Sequence, residues 1–213
     1  MWAGCLAGLA ETFFILWIWK KYGIWNFKPI KEKKKTLVLL MLTGLSVILC
    51  SLLFSYVRDL LTQLNQLAAY LILTAAAGVD WKKQVIPNGL IAGGLAFRTI
   101  LLIGVFLVDP QDAPGVLLQS GLGFLISLLF MLLLSFLSRN GIGYGDVKLF
   151  SWIGYCFGIS MTYNILFYSA LFAAMAGIWL MFVKKANKKT KVPFGPFIWC
   201  GSYLVFCMTI FSQ

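Results

Sequence analysis

LLTQLNQLAAYLILTAAAGV, residues 60–79, carries no charged side chain. DWKKQVIPN, residues 80–88, follows with an aspartate, two lysines and a proline. GLIAGGLAFRTILLIGVFLV, residues 89–108, is then apolar again, with Arg98 its single charge. Runs of about 20 apolar residues are what a helix needs to cross a hydrocarbon layer about 30 Å thick. Each must be a helix, because a segment in lipid has to satisfy its own backbone hydrogen bonds. Strands of a membrane barrel would alternate apolar and polar residues, and these runs do not.

Working outward, the same pattern fills the chain. Ala3–Trp19 is broken only by Glu11, and Leu37–Val57 and Leu60–Val79 are uncharged. Gly89–Val108, Gly115–Leu137, Val147–Met161, Asn164–Val183 and Phe197–Ser212 complete eight candidate spans. Of the 213 residues 61% are hydrophobic and 12% charged, and mean hydropathy is +0.88. These values exclude a soluble enzyme, a disordered chain and a disulfide scaffold. The expected fold is all-α: a polytopic membrane helix bundle of about eight transmembrane helices. The first span lacks a basic leading region and a small-residue cleavage site, so it is read as retained. Histidine is absent, which removes His-based triads and His-ligated zinc or haem. Cys5, Cys50, Cys156, Cys200 and Cys207 form no C-x-x-C pair and read as small buried hydrophobes.

Charge sets the topology. With eight spans, segments 20–36, 80–88, 138–148 and 184–196 share one side and hold 16 of the 18 Lys and Arg residues. The positive-inside rule puts these segments in the cytoplasm and both termini outside. Trp17, Trp19, Trp81, Trp152, Trp179 and Trp199 fall near proposed span ends, as an aromatic belt would. The basic loops read as topology determinants that touch anionic lipid. None is long enough to form a nucleic-acid platform, so no nucleic-acid partner is expected.

Only seven acidic residues occur. Asp59, Asp109 and Asp112 lie in outer turns facing water, and Glu32 lies among lysines. Glu11 and Arg98 are read as structural, paired with each other or with polar backbone. Asp80 closes the third span and Asp146 opens the sixth, both at the cytoplasmic boundary. Ionisable groups at membrane depth are costly and are functional candidates. Two carboxyl groups at one depth can share a proton, so that the ionised one activates water while the protonated one polarises a carbonyl. Gly143 and Gly145 permit close backbone approach. Pro87 ends an extended stretch, and Asn88 is placed to cap the next helix. Lys148, two residues after Asp146, either anchors a helix end or biases the pair.

Gly143-Tyr144-Gly145-Asp146 followed by Lys148 resembles the G-x-G-D-x-K signature of the type IV prepilin peptidases, which are intramembrane aspartic proteases. Asp80 with Ile86-Pro87-Asn88 resembles that family's first-aspartate motif, and Pro193-Phe194-Gly195-Pro196-Phe197 its P-F-G-P-F element. The resemblance implies that Asp80 and Asp146 are the catalytic pair. Gly143, Gly145, Lys148, Pro87, Asn88, Pro193, Phe194, Gly195 and Pro196 would support the site. It implies removal of the leader from a prepilin or pseudopilin, whose leader is basic and whose N-terminal helix is hydrophobic. The enzyme would lie in a bacterial plasma membrane with its active site facing the cytoplasm. Larger family members carry a cytoplasmic domain with zinc-binding C-x-x-C pairs, associated with N-methylation. Residues 20–36 stand there with no cysteine. The expected organisation is therefore N-terminal spans with a short basic loop over 1–66 and a peptidase core over 67–213. Proteolysis without methylation, with no metal and no cofactor, is expected. Two other readings are an ion- or proton-coupled transporter and a non-catalytic pilus or secretion assembly factor.

Overall fold

A computed structural model describes residues 13, 15, 17, 20, 21, 59–138, 142–184 and 193–211. The second proposed span, most of the first, Glu11 and most of the 20–36 loop lie outside these residues. The described chain is all helical: α1 (Leu60–Lys83), α2 (Asn88–Val108), α3 (Ala113–Leu137), α4 (Tyr144–Lys184) and α5 (Gly195–Phe211). Positions 13, 15, 17, 20 and 21 are helical as well. Four of the five helices are long and apolar enough to cross a membrane, and α5 is a shorter apolar helix.

Local chemistry sets the helix ends. Asp59 caps α1, its carboxylate accepting hydrogen bonds from the Thr62 amide and hydroxyl. Those bonds, the hydroxyl's first, hold the Asp59 carboxyl below the usual carboxylate range. Gln84 closes α1 in the left-handed region, at φ 53°, and its N–H donates to the Asp80 carbonyl at 2.8 Å. Pro87, with ψ 129°, then turns the chain into α2.

α4 corrects the expected span pattern. Val147–Met161 and Asn164–Val183 were expected as separate helices joined near 162–163. Two helices are found, but they meet at Gly158, with φ 72° and ψ −173°, about four residues earlier than expected. That backbone region is essentially open to glycine alone. A straight helix over the 41 residues of α4 would measure about 60 Å, twice a bilayer core. Before the kink, Phe150 meets Phe194 and Phe157 meets Phe206, so this part of α4 runs parallel with α5. Beyond it, Ile165 and Ser169 face Gly201, so the partner positions on α5 step backward.

The core lies between α1, the first part of α4 and α5, where Tyr70, Leu73, Phe150, Trp152, Ile153 and Phe206 are fully buried. α3 packs against α4 by small residues. A Cβ on Gly123 would collide with the Gly154 carbonyl oxygen, and a Cβ on Gly154 with that of Gly123. The buried face of α3 carries Ser120, Gly123, Ser127, Met131 and Ser135. Its exposed face carries Leu118, Leu122, Leu125, Leu129, Leu133 and Phe136. Small polar residues inside and leucine outside is the pattern of a helix facing lipid. The tryptophan belt needs correction too. Trp17, Trp81 and Trp179 are exposed, but Trp152 and Trp199 are buried in the core.

Candidate functional site

Asp80 lies one turn before the C-terminus of α1, and Asp146 lies in the first turn of α4. The two helices run antiparallel. Asn65, five residues from the start of α1, donates from Nδ2 to the Cys156 carbonyl at 3.0 Å, near the far end of the first part of α4. That register carries Asp80 and Asp146 to the same end of the bundle. Their carboxyl groups stand within electrostatic reach of each other. Asp80 is buried at 6% exposure, and Asp146 is half-buried.

α5 brings a third segment to the pair. The Gly195 N–H donates to Asp80 Oδ2 at 2.7 Å, and the Phe194 backbone also faces this carboxylate. A carboxylate at the start of a helix meets free N–H groups and the positive end of the helix dipole. Gly195 has to be glycine at so close an approach: a Cβ there would lie 2.9 Å from Asp80 Cβ and from Oδ2. Pro196, in the first turn, gives up an N–H that would have had no partner within the helix. Pro193 precedes the helix, and the Phe194 carbonyl accepts from Phe197 and Ile198.

Asp146 is framed by its own glycines. The Gly143 carbonyl accepts from the Asp146 N–H at 3.0 Å, and the Gly143 backbone faces the Asp146 carboxylate. A Cβ on Gly145 would meet Ile86 Cβ at 3.2 Å, so the loop before α2 rests on the first turn of α4. Ile86 is buried at 5% exposure. In the sequence Ile86 stands only as part of a motif, and the short stretch Val85-Ile86-Pro87 has no periodicity to show which residue is buried.

One expected role changes. Pro87, not Asn88, occupies the capping position of α2, and no side chain caps that helix. Asn88 Oδ1 instead accepts from Lys148 Nζ at 3.0 Å. Lys148 thereby ties the start of α2 to the start of α4, and it forms no ion pair with a carboxylate among the described residues. Among those residues no three His, Cys, Asp or Glu side chains are grouped to hold a metal ion.

The model of the type IV leader peptidase family matches residues 67–178, just over half of the chain, including both aspartates and the G-x-G-D stretch. The chain belongs to this family. Among its type IV leader peptidase relatives are proteins named prepilin leader peptidase/N-methyltransferase. That of Bacillus subtilis is 31% identical over 136 residues, covering 63% of this chain and 52% of the relative. That of Xanthomonas campestris is 30% identical over 142 residues, covering 63% and 46%. That of Aeromonas salmonicida is 28% identical over 203 residues, covering 91% and 64%. The chain thus spans about half to two thirds of the length of these relatives. No solved structure matches it.

Proposed function

We propose that this chain is a membrane aspartic endopeptidase that removes the leader of prepilin-like proteins, with Asp80 and Asp146 as its catalytic pair. The observation that carries this reading is that Asp80 on α1 and Asp146 on α4 lie at the same end of the bundle, within electrostatic reach of each other. Each is held by the backbone of a glycine-bearing motif. In this mechanism one carboxylate takes a proton from water, whose oxygen bonds to the scissile carbonyl carbon. The other carboxyl donates its proton to that carbonyl oxygen. As the tetrahedral carbon collapses, the C–N bond breaks and the departing amine takes a proton from the pair.

Within this proposal the bundle has about eight spans, with the helices on either side of Gly158 counted as two. Both termini face outward, and Lys82, Lys83 and Lys148 mark the cytoplasmic, catalytic end. The substrate presents a basic leader followed by a hydrophobic helix, and anionic lipid beside the basic loops holds that leader near the site. N-methylation is not assigned to this chain, because residues 20–36 contain no cysteine to hold zinc. A transporter would place its carboxylates near mid-membrane, whereas Asp80 and Asp146 occupy helix ends.

The test is cleavage of a prepilin-like substrate by the purified protein in lipid, read as loss of the leader by mass. Asp80→Asn and Asp146→Asn should each abolish it while leaving an inserted, folded protein. Near-wild-type turnover by either variant would exclude the aspartic mechanism.

A further inference from the structure

At the end of the bundle opposite the aspartate pair, α1, α2, α3 and α4 enclose a cavity of about 480 Å³. Ligand-binding cavities begin at about 300 Å³. Arg98, on α2, reaches into it from a membrane-spanning helix and is 9% exposed. Its neighbours are neutral. Nη2 donates to Ser120 Oγ at 3.0 Å, and Nε donates to the Tyr155 carbonyl at 3.4 Å. No carboxylate pairs with it among the described residues. A buried guanidinium without a counter-charge is costly, and such groups in spans mark sites of interaction.

A second polar group lines the same cavity: the Gln66 amide oxygen is buried and has no hydrogen-bond partner among the described residues. Among the described residues Arg98 meets no anion and Gln66 meets no donor. The rim supplies the opposite sign. Asp59, Asp109 and Asp112 line the mouth and are exposed, and the bonds from Thr62 keep Asp59 ionised at neutral pH. The cavity is therefore cationic at depth and acidic at its entrance. An anionic lipid, or free phosphate, would have to pass three carboxylates, with no cation at the mouth among the described residues. A zwitterion whose anion lies deeper than its cation fits both ends. A phospholipid in the nearby leaflet has that order, with phosphate next to the acyl region and the ammonium group further out.

We propose that this cavity binds the headgroup of a phospholipid bearing a primary ammonium group, that is, a phosphoethanolamine headgroup. Its phosphate accepts from Arg98 and Ser120. Its ammonium group donates to the rim aspartates, with the Gln66 oxygen as a further acceptor. Val105, Val116 and Met161 line the walls and pack against the glycerol and upper acyl chain. The site lies away from the aspartate pair, so it stands or falls independently of the peptidase reading.

Native mass spectrometry of the full chain tests this, with phosphatidylethanolamine, phosphatidylcholine and phosphatidylglycerol of matched acyl chains supplied in equal amounts. Wild-type protein should retain phosphatidylethanolamine several-fold above the other two. Arg98→Gln should lower that retention about tenfold, the loss of one charge-assisted contact. Asp109→Asn combined with Asp112→Asn should raise phosphatidylglycerol to parity with phosphatidylethanolamine. These two side chains are exposed, so the double variant keeps the test open if Arg98→Gln does not fold. Equal retention of the three lipids by wild type, or unchanged selectivity in the rim variant, would overturn the proposal. Displacement of the lipid by millimolar inorganic phosphate or free phosphoethanolamine would overturn the assignment to a lipid.

Discussion

Replacing Gly195 by alanine adds one carbon at the closest backbone approach to the aspartate pair. That carbon would lie 2.9 Å from Asp80 Cβ, 2.9 Å from Oδ2 and 3.2 Å from Cγ. Non-bonded carbons rest at about 3.5–4.0 Å, so the carboxyl or the start of α5 must retreat by roughly 0.5–1 Å. The 2.7 Å hydrogen bond from the Gly195 N–H to Oδ2 would then be stretched or lost. A hydrogen bond to a charged group contributes about 1.5–3 kcal/mol. At about 1.4 kcal/mol per tenfold, kcat should fall roughly 10- to 100-fold. The general sensitivity of catalysis to a displacement of about 1 Å, around 10²-fold, leads to the same range. Single-turnover cleavage of a prepilin-like substrate in lipid, read by mass, measures it. Gly93→Ala and Gly121→Ala are the controls, because a Cβ at either meets nothing within 4 Å. Both should stay within about twofold of wild type. If Gly195→Ala retained activity within about threefold, the α5 backbone would not position Asp80, and the reasoning would fail.

Breaking the Lys148–Asn88 bond by Lys148→Met or Asn88→Ala should each lower kcat/KM by about 3- to 10-fold. The double variant should be no worse than the more impaired single, and full additivity in that cycle would mean the two side chains act separately. Gly158→Ala should destabilise the bundle by about 1–3 kcal/mol, read as a lower midpoint of thermal unfolding in detergent. Gly177→Ala, where a Cβ meets nothing within 4 Å, is its reference. Asp59→Ala should cost about 1 kcal/mol through loss of the α1 cap. Thr62 holds the Asp59 carboxyl below its ordinary value of 3.8 in the folded protein. The difference from Asp59→Ala is therefore fully present above pH 3.8 and fades as pH falls through the lower folded value. A difference unchanged at pH 2 would remove the charged cap from the account.

Hydropathy located α1, α2 and α3 to within a few residues, because each is one uninterrupted apolar run between polar turns. Within α4 it separated two helices but misplaced their junction. Gly154, Gly158 and Gly177 all lie in continuous apolar sequence, and composition does not tell which of them takes the positive φ of the kink. That choice depends on the contact between α3 and α4, which puts Gly123 against Gly154 and Gly158. Trp152 and Trp199 were assigned to a belt because sequence position near a span end does not reveal which face a residue occupies. The aspartate pair was legible because seven acidic residues in 213 leave few candidates. The antiparallel register of α1 and α4 follows from the depth of each aspartate in its span. The partners of the motif residues were not legible. The bond from Gly195 to Asp80 links residues 115 apart, and the Lys148–Asn88 bond links residues 60 apart. The opposite cavity was hidden for the same reason, since Arg98 and the three outer aspartates come from segments that sequence could only treat one at a time.

The three motif segments share a physical logic. Each is a junction where a turn enters or leaves a helix: Asp80 to Asn88 between α1 and α2, Gly143 to Asp146 before α4, and Pro193 to Gly195 before α5. Helix ends leave backbone N–H and C=O groups without partners inside the helix. Here those groups are turned on the aspartates, the Gly195 N–H on Asp80 and the Gly143 backbone on Asp146. At Gly195 glycine is required because a Cβ there would lie 2.9 Å from Asp80 Cβ and from Oδ2, whereas at Gly143 it would only touch Asp146 Oδ2, at 3.4 Å. The supporting residues thus act by what they lack. If the pair is catalytic as proposed, removing side chains would reveal Asp80 and Asp146 but not the backbone that holds them, since Gly143 and Gly195 have no side chain to remove. Adding one carbon at Gly195, where it would lie 2.9 Å from the Asp80 carboxylate, is the substitution that interrogates how that carboxylate is held.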